Sequence, residues 1–316
     1  PTTSKMPDTL QRKVITLYFS HGRIGNFVAT APLVLGHEVA GVIAEVGEEV
    51  TTLAPGDRVA VNPSRFCGTC ARCREGRRNL CENIYFMGSA SRTPHMQGGF
   101  ATFFDAIPAQ CAPIPDHVPF EAAALAEPLA VCLHAVGRRE VAGRHVAILG
   151  AGPIGLLTLL AARMKGAARV TMADIAAAPL AFATRLGADG VVDLSAEPGG
   201  LAAGPAPDVV VEASGSPIAL DAAIAAVRRG GTVVLLGSLP GGAIPAPLNP
   251  VMARELDLVG SFRFDREFSE AVDLISRGAI DVRAIVTASL PLSEAIDAFA
   301  LALDRSRSVK VVLTAD

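Results

Sequence analysis

The sequence predicts an α/β protein in which a doubly wound parallel sheet is combined with a β-rich part. Short extended runs separated by turns fill the first third of the chain, whereas apolar strands and helices alternate from Arg144 onward. Alternation of this kind is typical of a parallel sheet with helices on both faces. The length of 316 residues is enough for two domains.

Composition excludes several classes of function. The chain has 28 Lys and Arg against 31 Asp and Glu, no Trp and two Tyr, so it lacks the positive charge and the aromatic residues on which nucleic-acid binding depends. Residues 1–11 are polar, without the layout of an export signal. Glycines interrupt the apolar stretch 145–164, which argues against a membrane span. We therefore expect a cytoplasmic protein with neither nucleic acid nor membrane as a partner.

The individual elements follow from apolar runs and the turn residues that bound them. In the β-rich part we predict strands at 42–47, Arg58–Val61, 99–105 and 110–113, with a cysteine-rich loop at about 62–82 and a helix at 121–137. In the alternating part we predict strands at His145–Leu149, 169–173, Gly190–Asp193, 208–212, 232–237 and 308–314, and helices at Pro153–Met164, 179–186 and 217–229.

The first chemical motif is a glycine loop between an apolar strand and an apolar helix. Gly150, Gly152 and Gly155 form the pattern GxGxxG, in which the glycines allow a tight turn, the approach of a pyrophosphate and close packing of helix on strand. Asp174 ends the next strand and is suited to the adenosine ribose hydroxyls. Because an acid repels a 2′-phosphate, and no Arg or Lys follows before Arg185, NAD is favoured over NADP. The alternative is a glycine turn in a non-binding protein, with Asp174 capping a turn.

Four cysteines form the second motif, at Cys67, Cys70, Cys73 and Cys81. Two CxxC spacings and a fourth nearby thiol suit a tetrahedral zinc site, and four thiolates leave no open position, so the zinc would be structural. An iron–sulfur cluster and four unrelated thiols are the alternatives.

Two further cysteines stand apart from this loop. Cys111 and Cys132 lie in apolar surroundings in the sequence. We interpret both as small buried hydrophobic residues.

A candidate for an open zinc site is weaker when taken alone. His37 and Glu38 precede a strand, and Glu127 lies at the far edge of the same part of the chain. His and carboxylate are ligands of catalytic zinc, but a single His-Glu pair taken alone is more typical of a buried, hydrogen-bonded histidine.

Six separated motifs resemble, in order, those of the zinc-dependent medium-chain alcohol and polyol dehydrogenases. They are Gly36-His37-Glu38-Val39-Ala40-Gly41, Gly56-Asp57-Arg58-Val59, the four-cysteine loop, Gly98-Gly99-Phe100-Ala101, Glu127-Pro128-Leu129-Ala130 and the glycine loop. The resemblance covers residues 18–314. It implies a GroES-like catalytic domain at 1–127 with a zinc lobe at 62–82, a Rossmann NAD-binding domain at 128–262, and a segment at 263–316 that returns to the catalytic domain. The active site is expected in the cleft between the domains.

The resemblance also implies roles for individual residues. The catalytic residues would be Tyr18, which contacts the substrate, and His37, Glu38 and Glu127, which hold zinc or its water. Zinc would polarise the alcohol oxygen, and the hydride would pass to the nicotinamide. The expected NAD-site residues are Gly150, Gly152, Ile154, Gly155, Asp174, Gly237, Ser238, Phe262, Arg263 and Phe264.

Within the family, residues 22–27, 86–90 and 260–264 are similar to the members that act on sugar acids. The resemblance thus implies NAD-dependent oxidation of a secondary alcohol of a sugar acid, by a homotetramer or homodimer. A carboxylated substrate needs a cationic partner, which Arg23, Arg92 or Arg263 could supply, although each is also typical of a solvated surface charge. The alternatives are a sorbitol or xylitol dehydrogenase and a non-catalytic NAD-binding protein.

Two departures from the family pattern stand out. Family members carry a zinc-ligating cysteine just before the substrate tyrosine, but here no cysteine precedes Cys67. An incomplete or joined N-terminal segment, loss of the catalytic zinc, and replacement of the thiolate by another residue are the possible explanations, of which we favour the first. The basic residue that often follows the ribose-binding acid is also absent from 175–179.

Overall fold

The computed structural model describes residues 27–315 with their side chains, and the backbone of strand residues 4–5, 11–12 and 23–24. The chain divides into two compact units, one made of Pro1–Ala130 and Phe264–Asp316, the other of Val131–Arg263. The divisions fall at 130/131 and 263/264, where the sequence analysis predicts 127/128 and 262/263. The first unit is therefore built from two separate stretches of chain.

The elements in the described part of the chain are short in the first unit and longer in the second. The strands are β1 (Ser4–Lys5), β2 (Gln11–Arg12), β3 (Arg23–Ile24), β4 (Phe27–Val28), β5 (Val39–Val42), β6 (Arg58–Val61), β7 (Ser64–Arg65), β8 (Tyr85–Phe86), β9 (Asp105–Ala106), β10 (Cys111–Pro113), β11 (His145–Leu149), β12 (Arg169–Asp174), β13 (Gly190–Asp193), β14 (Val209–Glu212), β15 (Thr232–Leu235), β16 (Asp257–Gly260), β17 (Val286–Pro291) and β18 (Lys310–Thr314). The α-helices are α1 (Ala71–Arg74), α2 (Phe120–Ala124), α3 (Ala126–Val136), α4 (Pro153–Met164), α5 (Ala177–Arg185), α6 (Gly200–Ala203), α7 (Pro217–Ala226), α8 (Leu248–Ala253), α9 (Glu267–Ser276) and α10 (Ala295–Leu303). Short 3-10 turns lie at Arg78–Leu80, Pro108–Gln110, Val282–Ile285 and Leu292–Glu294.

The main sheet of the first unit has six strands in the order β10-β6-β5-β2-β18-β17. Neighbours pair antiparallel except β17 and β18, which are parallel. Val39, Val59 and Val61 belong to the buried cluster of this sheet, because alternate side chains of paired strands share one face. The sheet brings the start of β5, which follows His37 and Glu38, close to β18 from the other end of the chain.

Two strands predicted in this unit differ from those observed. The strand predicted at 42–47 lies instead at Val39–Val42, since the turn at 55–57 limits the partner strand to Arg58 and beyond. The strand predicted at 99–105 is reduced to Asp105–Ala106. The backbone N–H groups of Gly98, Gly99 and Phe100 donate instead to carbonyls of residues 34–36, outside a regular ladder.

The helix predicted at 121–137 is divided into α2 and α3 at Leu125. Pro128 has no backbone N–H and cannot donate to the carbonyl of Ala124, so a continuous helix would lose a bond there. In the first turn of α3 the missing N–H is tolerated.

The second unit is built on six parallel strands in the order β13-β12-β11-β14-β15-β16, which confirms the predicted doubly wound sheet. Helix α4 packs on β11 and β12, and α7 packs on β14. The central strands are apolar and buried on both faces, as parallel strands covered by helices must be. The order reverses between β11 and β14, the position at which such sheets bind ligands. Strand β16 and helix α8 were not predicted.

No helix in the described part of the chain has the length and apolar character that crossing a membrane requires.

Candidate functional site

The glycine loop of the second unit follows β11 directly. A Cβ on Gly155 would overlap the carbonyl oxygen of Gly150, so only glycine lets the start of α4 lie this close to the end of the strand. A Cβ on Gly152 would instead meet nothing within 4 Å. The loop thus leaves open space beside Gly152, where a pyrophosphate could approach the first N–H groups of α4. These residues fit a dinucleotide.

Two side chains donate hydrogen bonds to a backbone carbonyl near the start of α4. Cys132 Sγ and Thr158 Oγ1 both donate to the carbonyl oxygen of Ile154, at 3.3 and 2.7 Å. Cys132 is fully buried, which agrees with its interpretation as a small buried residue. Cys111 is partly exposed, and its Sγ lies 3.7 Å from the carbonyl oxygen of Ile107.

Asp174 ends β12 beside the glycine loop. Its Oδ2 accepts from the Ala151 N–H at 2.7 Å and its Oδ1 from the Ala176 N–H at 3.0 Å. Each carboxylate oxygen has a further lone pair, so the side chain can still accept from ribose hydroxyls. The predicted ribose-binding acid therefore also ties the glycine loop to the next strand end.

Sequence reasoning missed Glu212, which ends β14 and is fully buried. Its Oε1 accepts from the Ser214 N–H at 2.8 Å, the Ser214 hydroxyl at 2.5 Å and the Gly215 N–H at 3.0 Å. Its backbone carbonyl accepts from the N–H groups of residues 236 and 237. Glu212 thus fastens the loops that follow β14 and β15. An acid that closes an apolar strand parallel to the one ending at Asp174 was the signal that could have found it.

The predicted residues Gly237 and Ser238 lie in the second of these loops. A Cβ on Gly215 would come within 2.5 Å of the Ser238 carbonyl oxygen, and one on Gly237 within 2.6 Å of Glu212 Oε2. The loops after β14 and β15 therefore interlock at the carboxyl edge of the sheet, with the glycine loop on their other side, where a Cβ on Gly150 would meet Ser214.

The structure separates the three residues predicted at 262–264. Phe262 is 42% exposed, and the guanidinium carbon of Arg263 lies 4.9 Å from the centre of its ring. Phe264 belongs to the first unit, where its fully buried ring stacks on Phe268 at 5.8 Å. The buried Phe264 ring therefore has no exposed face to offer a cofactor, and the place of residues 262–264 in the NAD site stays a prediction.

His37, Glu38 and Glu127 come together in the first unit. Each offers a ligand atom, and these atoms lie within 4.8 Å of one another. Gly36 precedes them with φ +95°, and a Cβ there would be 2.7 Å from the Phe100 ring. The His37 ring packs 5.4 Å from that of Phe86. The predicted substrate residue, Tyr18, lies outside the described residues.

This cluster fits a zinc ion in its donor chemistry. Imidazole and carboxylates are zinc ligands, and three protein ligands with an open fourth position are typical of a catalytic site. No cysteine in residues 27–315 belongs to the cluster. Both carboxylates are 4% exposed, so they would be desolvated around a cation.

Lys310, the first residue of β18, was not predicted to lie near this cluster. Its Nζ is 3.2 Å from Glu38 Oε2 and 3.4 Å from Oε1, and the lysine is 5% exposed. Burial lowers the pKa of Lys310 well below the usual lysine value.

The four cysteines of the 62–82 lobe form a second cluster, with all four Sγ atoms within 4.8 Å. Sγ of Cys67 lies 3.5 Å from that of Cys81 and 4.0 Å from that of Cys73. A zinc tetrahedron with about 2.3 Å bonds has sulfur–sulfur edges of about 3.8 Å, so the thiols fit this ion.

Hydrogen bonds and burial shift the pKa values of these thiols in opposite directions. Backbone N–H groups of Thr69 and Cys70 lower the pKa of Cys67 to about 5, whereas burial raises the pKa of Cys73 to about 12. A metal ion would therefore have to displace a proton from Cys73 in order to bind it as a thiolate.

Comparisons with known proteins give two family matches. Residues 9–116 match the family model described as an alcohol dehydrogenase GroES-like domain. Residues 153–277 match the model described as a zinc-binding dehydrogenase. The two matches stand in the order of the predicted domains.

Several relatives and solved structures are similar over nearly the whole chain. Sorbitol dehydrogenase of Gallus gallus is 38% identical over 95% of this chain and 85% of its own length. The crystal structure of L-idonate 5-dehydrogenase from Escherichia coli aligns with a TM-score of 0.92 at 33% identity, covering 99% of this chain and 91% of that one. A putative zinc-binding dehydrogenase from Sinorhizobium meliloti, solved with NADP, aligns with a TM-score of 0.87 at 34% identity, covering 99% and 92%.

Proposed function

Because this chain belongs to the zinc-dependent medium-chain alcohol and polyol dehydrogenases and is an enzyme of that kind that uses zinc and NAD(P), we propose that it transfers hydride from a secondary alcohol of a sugar acid to NAD. The proposed reaction is the oxidation of L-idonate to 5-ketogluconate. The observation that carries the proposal is the cluster of one histidine and two buried carboxylates in a chain that also carries a dinucleotide loop.

The residues of the cluster divide the chemical work. His37, Glu38 and Glu127 would hold the zinc, with Glu127 able to hold its water instead. When bound, zinc supplies Lewis-acid polarisation of the substrate oxygen, so that the alcohol loses its proton near neutral pH. Burial of Glu38 and Glu127 strengthens their interaction with a cation, because little water screens it. Tyr18 would contact the substrate.

NAD is proposed over NADP because of Asp174. An acid at the end of β12 accepts from the ribose hydroxyls and repels a 2′-phosphate. The Sinorhizobium meliloti relative was solved with NADP, so the preference needs a direct test. We expect kcat/KM to be at least tenfold higher with NAD, and Asp174→Asn to reduce that ratio.

L-idonate carries a carboxylate and sorbitol does not, so the charge of the substrate distinguishes the proposed reaction from its alternative. The similarity to an L-idonate 5-dehydrogenase structure supports the acid, and the sorbitol dehydrogenase relatives support the neutral polyol as the alternative. The test is kcat/KM for L-idonate, sorbitol and xylitol with NAD. A preference for L-idonate supports the proposal, and a preference for either polyol overturns its substrate.

Arginine variants connect that preference to particular side chains. The guanidinium carbon of Arg92 lies 4.4 Å from the Tyr85 ring centre, and its Nη1 is buried without a hydrogen-bond partner among the described residues. Arg65 stacks on the same ring at 5.5 Å and provides the matched control. If Arg92 binds the carboxylate, Arg92→Gln lowers kcat/KM for L-idonate at least tenfold and leaves that for sorbitol near its original value, whereas Arg65→Gln changes neither. Arg263→Gln is tested in parallel.

The rival from another class is a non-catalytic NAD-binding protein. Tight NAD binding without turnover of L-idonate or any polyol would favour it over the dehydrogenase. We also propose a cytoplasmic homotetramer or homodimer, for which sedimentation of the purified protein is the test.

A further inference from the structure

The two-stranded sheet β7–β8 of the first unit turns one serine hydroxyl inward. Ser64 pairs directly with Phe86, and Arg65 pairs with Tyr85. Side chains alternate along a strand, and directly paired residues share a face. Because Ser64 and Phe86 are buried whereas Arg65 and Tyr85 are exposed, the inner face of this sheet carries the serine and the phenylalanine.

Phe86 connects this inner face to the candidate zinc cluster. Its ring lies 5.4 Å from that of His37, at an angle of 58° between the two planes. Directly paired residues of antiparallel strands have their Cβ atoms about 4.5–5.5 Å apart. The Ser64 side chain therefore adjoins Phe86 on the face that packs against His37.

The Ser64 hydroxyl has no hydrogen-bond partner among the described residues, although the residue is only 3% exposed. Its backbone is fixed from both sides. The Ser64 N–H donates to Asn62 Oδ1 at 2.9 Å, and the preceding carbonyl, that of Pro63, accepts from the Met87 N–H at 3.1 Å. Buried hydroxyls are nearly always hydrogen-bonded, and an unpaired one destabilises the fold.

The proposed substrates carry the partner that this hydroxyl lacks. In a sugar acid or a polyol, the carbon that reacts has neighbours that each bear a hydroxyl. These neighbouring hydroxyls lose hydrogen bonds to water when the reacting alcohol enters a buried site. A serine hydroxyl offers one donor and two acceptor positions, so it can replace one of the lost bonds. A simple secondary alcohol brings no such group.

We propose that Ser64 is a substrate-binding residue, which hydrogen-bonds a hydroxyl next to the reacting carbon and so selects polyhydroxylated substrates over simple alcohols. The inference rests on the proposed function, because it places the reaction at the His37 cluster. A site that pairs with a substrate hydroxyl discriminates against the analogue without it, since the protein group then stays unpaired. The Ser64 hydroxyl is thus unfavourable for folding and favourable for binding.

The test compares two buried serines of the first unit. Ser64→Ala removes the hydroxyl without a partner, whereas Ser308→Ala removes one that donates to the Leu301 carbonyl at 2.8 Å. Ser64→Thr keeps a hydroxyl at the first position. For the full chain and each variant, kcat/KM with NAD is measured for L-idonate, sorbitol and 2-propanol, and Tm is measured without substrate.

The quantity of interest is the ratio of kcat/KM for the preferred polyhydroxylated substrate to kcat/KM for 2-propanol. We expect Ser64→Ala to lower this ratio at least tenfold, and its Tm to equal or exceed that of the parent, because an unpaired hydroxyl is lost. Ser308→Ala should leave the ratio unchanged and lower Tm by about 2–4 °C. Ser64→Thr should give a ratio closer to that of the parent than to that of Ser64→Ala.

Two results would overturn the inference while the proposed function stands. One is an unchanged ratio in Ser64→Ala, which would mean that Ser64 binds no substrate hydroxyl. The other is a fall in Tm as large as that of Ser308→Ala, which would mean that the Ser64 hydroxyl already has a partner within the protein. If the parent oxidises none of the three alcohols, the proposed function fails, and the inference fails with it.

Discussion

Gly152 and Gly155 lie three residues apart in one loop, yet a methyl group at each meets opposite surroundings. At Gly155 it would overlap a backbone carbonyl, and at Gly152 it would enter open space. We therefore expect Gly155→Ala to destabilise the protein by about 1–3 kcal/mol, the usual cost of overpacking. Gly152→Ala should leave stability within about 0.5 kcal/mol, while weakening NADH binding at least tenfold, because the methyl occupies the space for the pyrophosphate.

Urea unfolding and NADH fluorescence titration of the two variants separate these effects. Unchanged NADH affinity in Gly152→Ala would place the pyrophosphate elsewhere. A stable Gly155→Ala would mean that α4 can move away from β11 at little cost.

Glu212 holds the loop after β14 with its carboxylate and the loop after β15 with its backbone carbonyl. Glu212→Ala removes the acceptor from the N–H groups of Ser214 and Gly215, and buried donors left without partners cost about 1–3 kcal/mol each. We expect lower stability and at least a tenfold rise in KM for NAD, with kcat less affected. Glu212→Gln retains an oxygen acceptor and serves as the matched control. If KM for NAD in both variants equals that of the parent protein, the loops do not depend on this side chain.

Glu212 and Lys310 show why some buried charged residues escape sequence analysis. Each sits in an apolar run that correctly predicts a strand, β14 or β18, and a single charge in such a run is typical of a solvated position. Lys310 and Glu38 meet because β18 and β5 flank the same strand, β2. Local patterns carry no information on such a pairing. The grouping of His37, Glu38 and Glu127 was predicted because family motifs marked them, and their role as zinc ligands stays a prediction.

The four-cysteine lobe contains little regular secondary structure. Helix α1 has four residues, and the 3-10 turn at Arg78–Leu80 has three. Elements this short do not persist alone, so the lobe depends on what its thiols bind.

Replacement of one lobe cysteine should therefore unfold this element. We expect Cys70→Ser to lose one zinc per chain and to become sensitive to trypsin at the arginines of residues 72–78. Cys111→Ser, outside the lobe, is the control and should keep both its zinc content and its resistance. Zinc analysis and limited proteolysis test this prediction. Unchanged zinc content and trypsin resistance in Cys70→Ser would argue against a four-thiolate site.

Regular elements were predicted best where one local rule governs them. The bounds of α4 match the prediction because glycine and proline residues mark the end of β11 and the start of the helix. The division between α2 and α3 was missed although Pro128 was visible, since the apolar pattern runs on through Leu125 without interruption. Strand β5 was placed too late in the sequence because its limits depend on where β6 begins, which is a property of pairing rather than of the segment itself.

At the scale of the whole molecule, zinc content distinguishes the possible states of the enzyme. The four-cysteine lobe would hold one ion, and the His37–Glu38–Glu127 cluster would hold a second. We expect elemental analysis of the purified chain to give about two zincs, and His37→Asn to give about one. A parent value of about one would leave only the structural ion and favour the non-catalytic alternative.

The discontinuous first unit has a consequence for how the polypeptide matures on the ribosome. Val131–Arg263 is a single stretch, so every strand of the parallel sheet has been synthesised before β17 and β18 exist. The first unit must wait, because Arg12 of β2 pairs with Leu313 of β18, and closing so long a loop is entropically costly. The second unit can therefore mature co-translationally, while the first unit acquires β17 and β18 only after the whole of the second unit has been synthesised. Until then the edge of β2 that pairs with β18 is open, and an unpaired strand edge is prone to non-native pairing.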